Sequence, residues 1–304
     1  MRNVHRPVAA TVVAVSRLVP AALLAALAAG CSSGSPVSQR SLGVGVESAP
    51  PPPRGALVLG GESGSRAVAL AIGKGKLTAT VLSSAGGPLS GLKVAFRAGL
   101  RLIPASSCGL GCYSAAASRP RHVEVRLSGS RLVAFDIPAK PRPAAAIVAR
   151  AARATRALKS LVYVESLRSG PTGGLLTTWS LQAPDEVEYQ IRGGADAIVL
   201  GTRRWDRNRP GAPWRRSQQL PALRVPQPAW GVRATNAYLL RDGHVDGRPV
   251  WVVSFANPTT PAWFTAWIDR ATYRPLRLRM TAAAHFMTHR YVAFDRPLKI
   301  TPPR

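Results

Sequence analysis

Three sets of side chains in this sequence could do chemistry. His285, Met287 and His289 alternate in a stretch that reads as a strand, so they project from one face. Two imidazoles and a thioether suit copper in either oxidation state, and copper is the cofactor this triplet would imply. The same residues also read as a strand with its Met in the core and its His at polar edge positions. Cys108 and Cys112 flank Gly109 and Gly111, and in an oxidising compartment such a pair forms a short-loop disulfide. Cys31 follows an apolar run, Leu18 to Gly30, that lies behind Arg2, Arg6 and Arg17. Basic residues, an apolar run shorter than the roughly 20 residues of a membrane span, and small residues at its end describe a secretory leader over residues 1–30.

Catalytic signatures do not occur: the sequence has no G-x-S-x-G, no H-E-x-x-H and no P-loop. Its few acidic residues cluster as Asp185, Glu186 and Glu188, and as Asp242 and Asp246, and nothing in the sequence tells a general acid/base pair there from solvated turn residues. The expectation is a protein that binds and is not an enzyme. Lys and Arg number 41 against 14 Asp and Glu, a formal charge of +27, of which the leader carries three. Such a charge favours polyanions, and export from the cytoplasm excludes nucleic acid as the partner. Lipid head groups, cell-wall polymers and acidic glycolipids remain. An excess of arginine is also what a GC-rich genome would produce. Hydrophobic residues make up 46% of the chain, enough for a true core.

The elements follow from periodicity. Residues 31–54 are a Ser/Gly/Pro-rich tether ending in the stiff run Pro50 to Pro53. Residues 55–140 alternate in short runs, such as Leu77, Ala79 and Val81 or Val123, Val125 and Leu127, with Gly86-Gly87-Pro88 as a turn. That rhythm predicts a small, Ig-like β-sandwich. Pro138 to Pro143 mark a boundary, and a second domain spans 141–304. It opens with an amphipathic helix: Ile147, Val148, Ala151, Ala154, Leu158, Leu161 and Val162 share one arc, opposite Arg150, Arg153, Arg156 and Lys159. Long strands follow, several of them apolar on both faces. A sheet covered on both sides, or one enclosing an apolar cavity, would explain that. The run RRWDRNRPGAPWRR, residues 203–216, interleaves Trp with Arg. It could stack on sugars or lie against anionic head groups, or be a hairpin with a solvated basic face.

Three resemblances add to this reading. Leu27-Ala28-Ala29-Gly30-Cys31 resembles the bacterial lipobox, which implies that the Cys31 thiol is diacylated and becomes the new N-terminus. The protein would then be a lipoprotein held on the extracytoplasmic face of the cell membrane. The segment LTATVLSSAGGPLSGLKVAF resembles Ig-like envelope domains of the YtkA and CopC type. From about residue 143 onward the order of LVYVESLRSG, APDEVEYQI, ADAIVLGTRRWDR, RPVWVVSF, PAWFTAWIDRATYRPLRLRM and HRYVAFDRPLKITPP resembles the LolA/LppX-type lipoprotein and lipid-carrier fold. The fold class expected is therefore mainly β with one long helix (α+β): a small β-sandwich, then an incomplete antiparallel β-barrel wrapped on the helix. The resemblance implies a cavity for an acylated lipid or lipoprotein ligand, walled by Trp179, Trp251, Phe255, Trp263, Phe264 and Trp267. Two other roles fit the residues: an envelope copper protein using the His-Met-His strand, and a structural or regulatory lipoprotein that docks another envelope protein through the sandwich.

Overall fold

The structure, a computed structural model, describes residues 48–128, 131–231, 233–257 and 261–304. The leader, Cys31 and the tether up to residue 47 lie outside the described residues. No helix among the described residues is long and apolar enough to cross a membrane.

The first half is built from nine short strands: β1 (Leu57–Ser63), β2 (Arg66–Gly73), β3 (Lys76–Leu82), β4 (Val94–Ala98), β5 (Arg101–Pro104), β6 (Ser106–Gly109), β7 (Cys112–Ala116), β8 (His122–Leu127) and β9 (Arg131–Asp136). They form two antiparallel sheets, ordered β1-β2-β3-β7-β6 and β5-β4-β8-β9. Alternate residues from both, among them Leu57, Leu70, Leu77, Phe96, Val125 and Phe135, fill the space between them. That is the expected sandwich, produced by period-two patterning on facing sheets. Cys108 and Cys112 are joined by a disulfide across the β6–β7 turn, with their Cα atoms 5.0 Å apart.

The second half begins with the two-residue β10 (Arg142–Pro143) and helix α1 (Ala145–Arg156). The helix is rich in alanine, the best helix former, and Arg153 and Arg156 in its last turn complement its dipole. Its buried side is Val148, Ala151, Ala152 and Thr155. These small residues let the chain come close: a Cβ on Gly231 would lie 2.7 Å from that of Ala152. The helix stops at Arg156, so Leu161 and Val162, placed on its arc by periodicity, belong instead to the strand that follows.

Eleven strands complete the chain: β11 (Ser160–Arg168), β12 (Leu175–Gln182), β13 (Glu186–Ile191), β14 (Asp196–Leu200), β15 (Arg203–Arg207), β16 (Arg215–Gln218), β17 (Thr235–Val245), β18 (Arg248–Asn257), β19 (Ala262–Asp269), β20 (Pro275–Ala282) and β21 (His285–Phe294). With β10 they make one antiparallel sheet ordered β10-β17-β18-β19-β20-β21-β11-β12-β13-β14-β15-β16. Two meanders are thus joined where the last strand pairs with the first, β21 with β11. The end strands β10 and β16 do not meet, and the sheet stays open. The fold is mainly β with one long helix, as the pattern implies.

The β19–β20 hairpin has local support. At the β19–β20 turn the Asp269 carboxylate, 2% exposed, accepts bonds from the Thr272 N–H at 2.7 Å and hydroxyl at 2.6 Å, and pairs with Arg248 at 2.9 Å. Burial pushes its pKa up, but these bonds and Arg248 outweigh burial and hold it below the usual carboxylate range.

The two halves share a packed layer. One face of β1 and β2 closes the sandwich core; the other places Val58, Ala69 and Ala71 against Trp263, Ala256 and Phe286 of the large sheet. Being covered on both faces, these two strands read as near-continuous apolar runs. Asn236 donates to the carbonyls of Pro53 and Ala56, at 2.8 Å each, and the Tyr238 hydroxyl donates to Gly55 at 2.7 Å. Glu62 pairs with Arg168 at 2.7 Å. Gly60 is where the backbones come closest, since a Cβ there would lie 2.8 Å from the Trp263 Cβ and 3.1 Å from the Thr281 Cβ. Gly60→Val is therefore expected to cost about 1–3 kcal/mol by overpacking this layer, measured as a fall in the urea midpoint. Gly55→Val, where a Cβ meets nothing within 4 Å but φ is +77°, separates backbone strain from overpacking.

Candidate functional site

The inner face of the large sheet, the face turned toward α1, concentrates the aromatic side chains. Strand register aligns Tyr189, Trp179, Tyr163 and Tyr291 in one row across β13, β12, β11 and β21. Trp179 lies 5.0 Å from Tyr189 and is stacked on Tyr163 at 6.0 Å; Tyr163 lies 5.7 Å from Tyr291, ring centre to ring centre. A bulge keeps the row together. Val292 is skipped between the pairs Val162–Ala293 and Tyr163–Tyr291, so Tyr291 and Phe294 both turn inward, where strict alternation would separate them. Val292 itself faces out and is 47% exposed.

The next row holds Glu165 directly opposite His289. The His289 Nε2 lies 2.8 Å from the Glu165 carboxylate and 3.1 Å from the Met287 sulfur, with the Tyr163 ring 4.7 Å away. Both side chains of the pair are largely buried, at 11% and 14% exposure. Further along the same face, Phe255 stacks on Phe264 at 5.0 Å and meets Trp230 at 5.9 Å beneath the helix. Leu223 and Val225, from the segment between β16 and β17, pack with Tyr163 and Trp179 against the buried cluster of Leu158, Leu161, Leu181, Val187 and Val199.

This face is not packed uniformly. Val253, Phe255, Ala266 and Ile268 are fully buried. Tyr163, Trp179, Met280, Met287 and Tyr291 keep accessible surface although they point inward. Among the described residues the Nε1 of Trp179 is buried without a hydrogen-bond partner, a costly state for an indole N–H. Both central phenols are desolvated. Burial pushes the Tyr163 pKa well above the ordinary range, aided by Glu165 and Tyr291. Burial likewise raises that of Tyr291, opposed by a hydrogen bond with Trp230 and aided by Glu165.

The six aromatic residues singled out from the sequence divide between the two faces. Trp179, Trp251, Phe255 and Phe264 are inward; Trp251 is half-buried beside Tyr273, ring centres 5.1 Å apart. Trp263 and Trp267 project from the other face of β19, Trp263 into the layer under the sandwich and Trp267 against the small cluster of Val250 and Val252. Sequence reasoning missed Tyr163, Glu165, Tyr189, Trp230 and Tyr291. Their alternation was visible, but only the β11–β21 pairing brings them together, and Trp230 sits in a proline-rich segment that reads as loop.

The copper reading is corrected. His285 and His289 do share a face, but four residues of strand separate them by about 13 Å, too far to converge on one ion at bonds of roughly 2 Å. The His285 Nδ1 is bonded to the Ala283 carbonyl at 3.0 Å, and His289 is taken by Glu165. Among the described residues no group of three His, Cys, Asp or Glu could hold a metal.

No protein family and no curated protein sequence matches this chain. Solved structures do. LprF from Mycobacterium bovis is similar at 15% identity and a TM-score of 0.41, over 54% of this chain and 98% of its own. Lipoprotein LppX from Mycobacterium tuberculosis is similar at 14% and 0.41, over 52% and 97%. A LolA superfamily protein from Nitrosomonas europaea is similar at 14% and 0.26, over 53% and 98%. Likenesses of this depth transfer neither ligand nor role. They lend nothing to the YtkA/CopC-type resemblance of residues 55–140.

Two outcomes are expected. The folded state holds the Tyr163 and Tyr291 protons more tightly than the unfolded chain does. Stability should therefore fall as pH rises past about 10, by up to about 1.4 kcal/mol per unit for each phenol. Urea melts across this range should show the slope, and Tyr163→Phe/Tyr291→Phe should flatten it. Copper titration of wild type and of His285→Ala/His289→Ala should give equal affinities.

Proposed function

We propose that the protein is a lipoprotein of the bacterial cell envelope, anchored through Cys31 on the extracytoplasmic face, whose second half binds, carries or senses an acylated lipid or lipoprotein ligand. The observation that carries this reading is the inner face of the large sheet: half-buried aromatic and thioether side chains around a buried Trp179 N–H that has no partner among the described residues. Acyl chains would cover that surface, at about 0.8 kcal/mol for each buried methylene. An ester or carboxyl oxygen would satisfy the indole N–H. The protein acts by binding and does no covalent chemistry. The domain division at about residue 140 belongs to the same proposal, with the sandwich and the tether presenting the binding half.

Native mass spectrometry of protein purified from membranes tests this. Wild type is expected to carry a co-purified acyl lipid, and Trp179→Phe, which removes the N–H and keeps most of the ring, to carry less. Lipid-free wild type, folded and stable, would sink the proposal.

A further inference from the structure

The other face of the large sheet carries a second feature. On strands β11 to β15 and β21 it forms a groove of about 630 Å³, open to solvent. Its floor is one cross-strand row: Arg290, Val164, Thr178, Gln190, Asp196 and Arg207 pair in sequence from β21 to β15. These residues alternate with the aromatic row and lie on the opposite side of the same strands. At strand spacing the row is about 24 Å long. Arg192, at the β13–β14 turn, and Pro210 complete the rim.

The groove carries unbalanced charge. Three arginines, Arg192, Arg207 and Arg290, face one aspartate. Asp196 is buried and paired with Arg207, whose guanidinium also lies over the Trp214 ring at 4.6 Å. Arg207 is thus held in place from two sides. Arg192 and Arg290 are exposed, and neither has a carboxylate partner among the described residues. Glu188, the nearby carboxylate on this face, accepts a bond from Gln190 at 3.1 Å. Moreover, Arg290 stands directly opposite Arg277 on β20. Like charges in that position destabilise a sheet, and only Arg277 has a counter-charge, Asp246 at 3.6 Å.

We infer that this groove is a binding site for a phosphorylated polyol, its phosphate held by Arg290 and Arg192 and its hydroxyls lying along Thr178 and Gln190 toward Arg207. The surplus of two positive charges matches a phosphate monoester, which carries about −1.5 to −2, better than a single carboxylate does. Guanidinium groups are the side chains suited to phosphate in paired hydrogen bonds. A bound phosphate would also relieve the Arg277–Arg290 repulsion. The arginine-tryptophan run 203–216 gains a role here, because Arg207 and Pro210 line one end of the groove and the Trp214 ring holds the Arg207 guanidinium. The site is separate from the inner face, and glycerol phosphate, the first of its two probes, has no acyl chain, so its result stands or falls apart from the acyl-binding proposal.

The test uses the full chain and two sources of the same chemistry: glycerol phosphate in solution, by calorimetry, and phosphatidic acid in phosphatidylcholine vesicles, by sedimentation. Arg192→Gln/Arg290→Gln removes the two unpaired groups. Arg101→Gln/Arg126→Gln, on the sandwich, removes equal charge elsewhere. Thermal melts establish that both variants fold. The groove variant is expected to bind at least about tenfold more weakly, the effect of losing one charge-assisted hydrogen bond, with the sandwich variant close to wild type. Loss seen with glycerol phosphate assigns the site to a free polyol phosphate; loss seen only with vesicles assigns it to a lipid headgroup. In the vesicle arm all three proteins carry Cys31→Ala, so that no acyl anchor drives them onto the vesicles. Equal loss in both variants, or no binding of either probe by wild type, overturns the inference.

Discussion

The pairing of β21 with β11 is the constraint on which the second half depends. Strands 11 to 16 and strands 17 to 21 are each a meander, held by neighbours in sequence. Their union requires the last strand to find the first across more than a hundred residues. The junction is secured at its end by polar contacts that no single meander could make. The Lys159 N–H donates to the Asp295 carboxylate at 2.8 Å, the Asp295 N–H donates to the Ser160 carbonyl at 3.0 Å, and Ser160 Oγ donates to the Arg296 carbonyl. Closing so long a loop costs entropy before any contact repays it. The repayment is the aromatic row on one face and a continuous sheet on the other.

Helix α1 follows from the same geometry. It leaves from β10 at one edge of the sheet and returns to β11 in the middle, so it must cross the inner face. Its alanines and Gly231 let it lie close there, over Leu239, Val253 and Phe255. Met280, Met287 and Tyr291 pack at the border of the cluster beneath the helix, and Tyr163 and Trp179 against the neighbouring cluster of Leu158, Leu161 and Leu181. The other face is divided as well: the sandwich covers Trp263 and Phe286, and farther along the same side arginines line an open groove.

How much of this was legible in the residues depends on range. Local features were: the alternation of short strands in 55–140, the helix beginning after Pro143, and the Cys108–Cys112 bridge across so short a separation. Failures came where distant strands decide. The helical arc overran its end because Leu161 and Val162 satisfy both periods, and pairing with β12 and β21 settles them as strand. Trp263 and Phe264 are adjacent and so must face opposite ways, yet which way each faces depends on the sheet packed behind it. His285 and His289 share parity, but their reach along the strand and the Glu165 on the neighbouring strand decide what they bind.

By itself, then, the sequence determined the elements and their chemistry: a cysteine placed behind an apolar run, strands with apolar residues on both faces, one amphipathic helix and a surplus of arginine. Those are consequences of local periodicity and composition, which act over a few residues. Tertiary structure alone decided which side chains share a surface. One register, with a single bulge at Val292, sends Tyr163, Trp179 and Tyr291 inward and aligns Arg290, Thr178 and Arg207 outward. The physical reason is that a β-strand fixes only the alternation of its side chains. The partner across the hydrogen bonds fixes their company, and here that partner lies at the far end of the chain.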